Sequence, residues 1–179
     1  MYSFRNDYSE GAHPKVLQAL ADTNLRQTVG YGMDPCCQAA ADTIRRLCAA
    51  PDAAVHFLVG GTQVNLVTID AFLQSYEAVV AAQTGHVSTH ETGAIEATGH
   101  KVCTVESPDG KLTPALVESV LAGHNGTEHM VLPRMVYISD TTEIGTVYTR
   151  AELAALRQCC DVHGLFLYLD GARLGSALT

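Results

Sequence analysis

Apolar and polar positions along the chain alternate between short unbroken apolar runs and longer stretches with helical spacing, the pattern of an α/β domain. Val55-His-Phe-Leu-Val59 predicts a buried strand, and Ala78–Ala82 is a second short apolar run. Lys101–Val105, Met135–Ser139 and Leu165–Leu169 read as further strands. Between them lie six helical stretches. One covers about Pro14 to Ala21, with Val16, Leu17 and Leu20 on one face. The next is capped by Asp34, carries Pro35 at its first position and has Pro51 as its far limit. A third leaves Gly60-Gly-Thr-Gln63 and runs to about Ser75, and a fourth covers Glu91 to Thr98. Thr113 caps a helix ending near Gly123. Thr149-x-x-Glu152 is a capping box, opening a helix that ends at Gly164.

No repeat, linker or charge block divides the sequence. The polar residues 1–12 predict an N-terminal arm, and 13–179 a single α/β unit. A length of 179 residues fits one domain or part of a larger one. Hydrophobic residues make up 47% and charged residues 17%, which excludes a disordered chain and predicts that part of the surface is normally covered. No apolar run approaches the ~20 residues of a membrane span. The N-terminus, Met1-Tyr-Ser-Phe-Arg-Asn-Asp7, has no signal-peptide pattern, so a cytoplasmic protein is expected. The net charge of -8 gives phosphate backbones no basic face, so nucleic acid is not an expected partner. The cysteines, at 36, 37, 48, 103, 159 and 160, form no C-x-x-C. Adjacent pairs make poor disulfides, and reduced, mostly buried thiols are expected rather than a zinc site.

Three places carry candidate chemistry. Gly60-Gly61-Thr62 sits between a predicted strand and a helix start, where free amides and the helix dipole favour an anion. It is neither a dinucleotide fingerprint nor a Walker loop, which argues against a nicotinamide dehydrogenase, and a plain tight turn is the alternative. Asp170-Gly-Ala-Arg173 closes an apolar strand, where open α/β sheets bind ligands; a local Asp–Arg pair is the alternative there. His86 follows Gly85 at the end of an apolar run, placed to stack on a ring or move a proton. His86 and His90 lie four apart beside Glu91, but no H-E-x-x-H is present and no metal is expected. His56 reads as a core histidine, and His100, His124 and His163 as surface or turn residues. Tyr31, in a glycine-flanked loop, faces a ligand or a partner chain, or simply packs.

Together these segments resemble the threonine aldolase and β-eliminating lyase family. The matching pieces, in family order, are Arg5-Asn-Asp7, Tyr31-Gly-Met-Asp34, Val59-Gly-Gly-Thr-Gln-Val-Asn65, Gly85-His-Val-Ser-Thr-His-Glu-Thr-Gly93 and Asp170-Gly-Ala-Arg-Leu-Gly175. The resemblance implies a three-layer α-β-α large domain of the pyridoxal-phosphate transferase type, with a mostly parallel sheet, here in its first part. It implies pyridoxal 5'-phosphate as cofactor, its phosphate on Gly61 and Thr62 with Gly60 shaping the turn. Asp170 would pair with the pyridine nitrogen, His86 would stack on the ring, and Arg173 would clamp the substrate carboxylate. Asn6, where the family usually has serine, and Tyr31 would complete the substrate site. The implied reaction cleaves a β-hydroxy-α-amino acid such as threonine to glycine and an aldehyde, in a homodimer or homotetramer.

The family's Schiff-base lysine lies beyond Asp-Gly-Ala-Arg, and Lys15, Lys101 and Lys111 match no family motif. The sequence therefore reads as the N-terminal part of a longer protein, without its small domain and inactive if the lysine is truly missing. β-Elimination, served by the same electron sink, and a non-catalytic truncated subunit are the alternatives.

Overall fold

A computed structural model describes residues 3, 6, 8–124 and 126–179. The chain forms two compact units, Met1–Phe57 and Leu58–Thr179. The first holds α1 (Pro14–Thr23) and α2 (Pro35–Leu47). Asp34 caps α2 as its sequence predicts, its side chain accepting from the Cys36 and Cys37 amides. The Cys37 thiol first, and the two amides after it, hold the Asp34 carboxyl below its ordinary range. The apolar face of α1 is present but not covered, with Val16, Leu17 and Leu20 all more than half exposed.

The second unit holds α3 (Gly61–Phe72), β1 (Glu77–Ala82), α4 (His86–Thr89), α5 (Ala94–Ala97), β2 (Lys101–Val105), α6 (Pro114–Ala122), β3 (Leu132–Ser139), α7 (Arg150–His163), β4 (Phe166–Asp170) and α8 (Leu174–Ala177). The strands form one parallel sheet in the order β2-β1-β3-β4. Period-two alternation along the central strands builds two cores. Val80, Ala82, Val136 and Ile138 pack with Val117 of α6 and Leu156 of α7. Val79, Ala81, Met135 and Tyr137 pack with Ile69 of α3, Val87 of α4 and Ile95 of α5. Helices thus cover both faces, the expected three-layer α/β arrangement.

The chain moves one way from β1 to β2 and the other way from β2 to β3. The order therefore reverses between β1 and β3, and the carboxyl ends there form the crevice where such sheets bind ligands. Two turns lead into it: Gln83–Gly85 after β1 and Asp140–Glu143 after β3.

Four expectations fail. Residues 55–59 join no described strand, and Val59 is 96% exposed. An apolar run predicts a strand only where a neighbour completes its ladder, and here the Val59 amide donates to the Gln63 side chain instead. His56 is consequently exposed rather than a core residue. The helix expected over 91–98 shrinks to the single turn α5, because Thr92 and Gly93 adopt left-handed backbone just before it. His100 is buried, not superficial: its Nδ1 meets the Glu77 carbonyl at 3.2 Å and its Nε2 lies 3.5 Å from Asp70. Of the six thiols, all free, Cys103, Cys159 and Cys160 are buried, while Cys36 and Cys48 are exposed and Cys37 half-buried. Burial pushes Cys160 up to about 11.

The capping box forms, with Thr149 Oγ1 accepting from the Glu152 amide and the Glu152 carboxylate accepting from the Thr149 amide. Lys111 Nζ adds a 2.5 Å contact to Glu152. That contact first, and the Thr149 bonds next, hold Glu152 at about 2. A depressed carboxylate contributes stability above its unfolded value and loses it as pH falls through the folded one. In urea denaturation, wild type should exceed Glu152→Gln most above about pH 5, with the gap closing toward pH 2. A gap independent of pH would contradict this.

Candidate active site

The site is built at the carboxyl ends of β1, β3 and β4 and at the amino end of α3. Helix α3 opens at Gly61 with no side-chain cap. Among the described residues, the Gly61 and Thr62 amides have no hydrogen-bond partner. A Cβ added at Gly60 or Gly61 would meet nothing within 4 Å, so the backbone faces open space. A cavity of about 270 Å³ runs from Gly61, Val64 and Asn65 to Tyr168, Asp170 and Ala172. It joins an anion-favouring helix start to a carboxylate at a strand end.

Asp170 is held entirely by donors. Tyr137 Oη donates to Oδ2 at 2.7 Å, Asn65 Nδ2 donates to the same oxygen at 3.1 Å, and the Ala172 amide donates to Oδ1 at 3.0 Å. These bonds aim the carboxylate and leave it acceptor-only. Burial first, and the bond to Asp170 second, drive the Tyr137 phenol far above its ordinary range. Burial, then the Asp170 charge, raises Tyr168 to about 12. Both phenols therefore serve as neutral donors. Their rings meet edge to face, centroids 5.5 Å apart.

Asn65 is 2% exposed and links three groups. Besides Asp170, its Nδ2 reaches Glu91 Oε1, and its Oδ1 accepts from Tyr168 Oη at 2.6 Å. Glu91 Oε1 also meets His86 Nδ1 at 2.7 Å. Glu143 forms a second hub: its Oε1 accepts from the His86 amide at 3.1 Å, from Ser139 Oγ at 2.7 Å and from Arg173 Nη2 at 3.0 Å. Arg173 Nε donates to the Thr141 carbonyl at 3.2 Å.

Of the residues singled out in the sequence, Gly61, Asp170 and the neighbouring Asn65 line one cavity. His86 and Arg173 join them through Glu91 and Glu143. Gly60 and Thr62 flank Gly61, both exposed. Asn6 and Tyr31 belong to the other unit. Asn6 Oδ1 accepts from the Tyr8 amide and Ser9 Oγ, and Tyr31 is fully exposed with left-handed backbone. Arg5 and Asp7 lie outside the described residues. His86 and His90 stand 5.5 Å apart by ring centroids, with Glu91 Oε1 at 2.7 Å from His86 Nδ1. The sequence assigned no role to Asn65, Glu91, Tyr137, Ser139, Glu143 or Tyr168. Spacing carried part of that signal: Asn65 lies one helical turn after Gly61, and Tyr168 lies two before Asp170 on the same strand face.

A three-layer sheet with this carboxyl-edge crevice defines an α/β ligand-binding domain of the doubly covered type. The family model described as beta-eliminating lyase matches residues 4–179, and the chain belongs to that family. The low specificity L-threonine aldolase of Pseudomonas sp. is 37% identical over 97% of the chain. A solved structure of Leishmania major threonine aldolase is 57% identical and superposes with a TM-score of 0.97 over 99% of the chain. An aminotransferase from Mycobacterium tuberculosis shares the fold, with a TM-score of 0.71 at 20% identity over 93% of the chain. The chain spans 50%, 52% and 45% of these three proteins respectively. No described helix is long and apolar enough to cross a membrane.

Replacing Asn65 with leucine keeps the volume and removes the donor shared by the enclosed Glu91 and the half-buried Asp170. Asn65→Leu should lose about 1–3 kcal/mol of stability in urea denaturation. A loss under about 0.5 kcal/mol, the level of an ordinary surface change, would contradict the network.

Proposed function

We propose that this chain supplies the cofactor-binding part of a pyridoxal-phosphate-dependent lyase. Its substrate would be a β-hydroxy-α-amino acid such as threonine, cleaved to glycine and an aldehyde. The observation that carries this is the cavity between the uncapped start of α3 and the donor-held Asp170. Such a cavity suits a molecule with a phosphate at one end and a protonatable ring nitrogen at the other. The open space over Gly60 and Gly61 gives a phosphate room to approach the backbone. The donor set around Asp170 keeps that carboxylate free to accept a ring N–H. The names of the aldolase relatives support the choice of substrate.

When bound, pyridoxal phosphate supplies an electron sink for the pair left at Cα. The chain's own groups do the rest. The Gly61 and Thr62 amides and the Thr62 hydroxyl hold the phosphate. Asp170 holds the proton on the ring nitrogen, and His86 covers the ring and takes the proton of the β-hydroxyl. Arg173 binds the substrate carboxylate with the guanidinium edge that Glu143 leaves open. Asn6 and Tyr31 are assigned to substrate binding on the family resemblance. The Schiff-base lysine is assigned to the part of the relatives' length outside this chain, since Lys111 is tied to Glu152. Residues 13–179 are assigned to the first part of the large domain of a cytoplasmic homo-oligomer.

The test is aldehyde release from L-threonine by a protein carrying this chain at the length of its relatives. Wild type should release aldehyde only with pyridoxal phosphate, and Asp170→Asn should lower kcat by roughly 10²-fold or more. Cofactor-independent release, or an unaffected Asp170→Asn enzyme, would overturn the proposal.

A further inference from the structure

We infer that Asn65 and Glu91 form a one-way hydrogen-bond relay that fixes His86 as the Nδ1–H tautomer, leaving Nε2 as a proton acceptor. The purpose of that acceptor rests on the lyase reading above; the relay itself does not. Each link follows from what its neighbour is able to donate. An ionised Asp170 is acceptor-only, and Asn65 Nδ2 lies 3.1 Å from its Oδ2. The Asn65 amide is therefore oriented with its NH₂ group toward Asp170. Tyr168 Oη, at 2.6 Å from Asn65 Oδ1, donates to the other end and agrees with that orientation.

With its NH₂ group so placed, Asn65 also donates to Glu91 Oε1. That oxygen is thereby an acceptor. The second Glu91 oxygen is buried and has no hydrogen-bond partner, so a proton placed on it would have nothing to reach. The Glu91 side chain is fully enclosed, while that of His86 is one-third exposed. The carboxylate therefore takes its remaining donor from His86, whose Nδ1 lies 2.7 Å from Oε1. Among the described residues Nε2 has no hydrogen-bond partner, so its lone pair is free.

The backbone holds this arrangement. His86 opens α4, and its amide is pinned by Glu143 at 3.1 Å. Glu91 lies in the left-handed turn before α5, where its carbonyl accepts from the Ala94 amide at 2.9 Å. Glu91 and Asn65 are thus positioning residues that act through His86. On the lyase reading, the β-hydroxyl proton passes to Nε2 as the Cα–Cβ bond breaks. The hydroxyl oxygen then closes the aldehyde carbonyl, and the bond's electron pair stays on Cα. The resulting imidazolium faces a carboxylate already in place, as in other carboxylate-oriented histidines.

The test is the tautomer of each histidine ring, read from long-range ¹H–¹⁵N correlations on the cofactor-free chain near pH 9, where an ordinary imidazole (pKa about 6.5) is neutral. Wild-type His86 should carry its proton on Nδ1. Glu91→Leu should lose that signal and move the proton to Nε2, while the conservative Glu91→Gln, still offering Oε1, should retain it. His90 should be unchanged throughout. An Nε2–H His86 in wild type overturns the relay whether or not the leucine variant folds, as does an unchanged tautomer in a folded Glu91→Leu. Pyridoxal phosphate binding is scored separately by equilibrium dialysis on a protein carrying this chain at the length of its relatives. The predicted tautomer pattern without cofactor binding supports the relay and refutes the lyase reading; binding with an Nε2–H His86 does the reverse.

Discussion

Two carboxylates, Asp170 and Glu91, share one buried amide, Asn65, and the rest of the site depends on how that amide is turned. A half-satisfied polar network in a low-dielectric interior costs more than an apolar core would. The surroundings accordingly supply neutral donors around Asp170 and Asn65: Tyr137 and Tyr168 from adjacent strands, Ser139 beside them, and the Ala172 amide beyond, while the second Glu91 oxygen stays buried without a partner. Parallel pairing of β3 with β4 sets Tyr137 opposite Tyr168 and Ser139 opposite Asp170. The register that builds the core therefore also assembles the donor set.

The fold explains why these groups meet at one edge. Crossovers on opposite faces carry the chain away from β1 in both directions, so the turns after β1, β3 and β4 open into the same crevice. Helix α3 brings its uncapped start to that edge from the face it shares with α4 and α5. Charge is apportioned between two hubs. Glu91 serves the histidine, and Glu143 serves both the His86 backbone and the Arg173 guanidinium. Arg173 is therefore oriented before any ligand arrives, which lowers the ordering cost of binding a carboxylate.

Much of this is legible in the sequence where local chemistry decides. The caps at Asp34, Thr113 and Thr149 and the strands at 78–82, 101–105, 135–139 and 165–169 follow from short-range pattern, and the structure holds all of them. Asp170, Arg173 and His86 stand out because polar residues closing apolar strands have few structural reasons to be there. Asn65, Glu91 and Glu143 do not stand out, since Asn65 meets Glu91 across 26 positions and Asp170 across 105, and Glu143 meets His86 across 57. Val55–Val59 fails for the opposite reason: its composition suits a strand, but strand formation is decided by a neighbour.

Amide chemical-shift mapping of the chain during titration with pyridoxal phosphate tests most directly whether the helix start and the strand end form one binding site. The Gly61, Thr62 and Ala172 amides and the His86 ring should shift together along one saturable curve, and Asp170→Ala should abolish the shifts at Ala172 and Gly61 alike. Shifts confined to the α3 start, unaffected by Asp170→Ala, would reduce that start to a simple anion site and contradict the joint cavity.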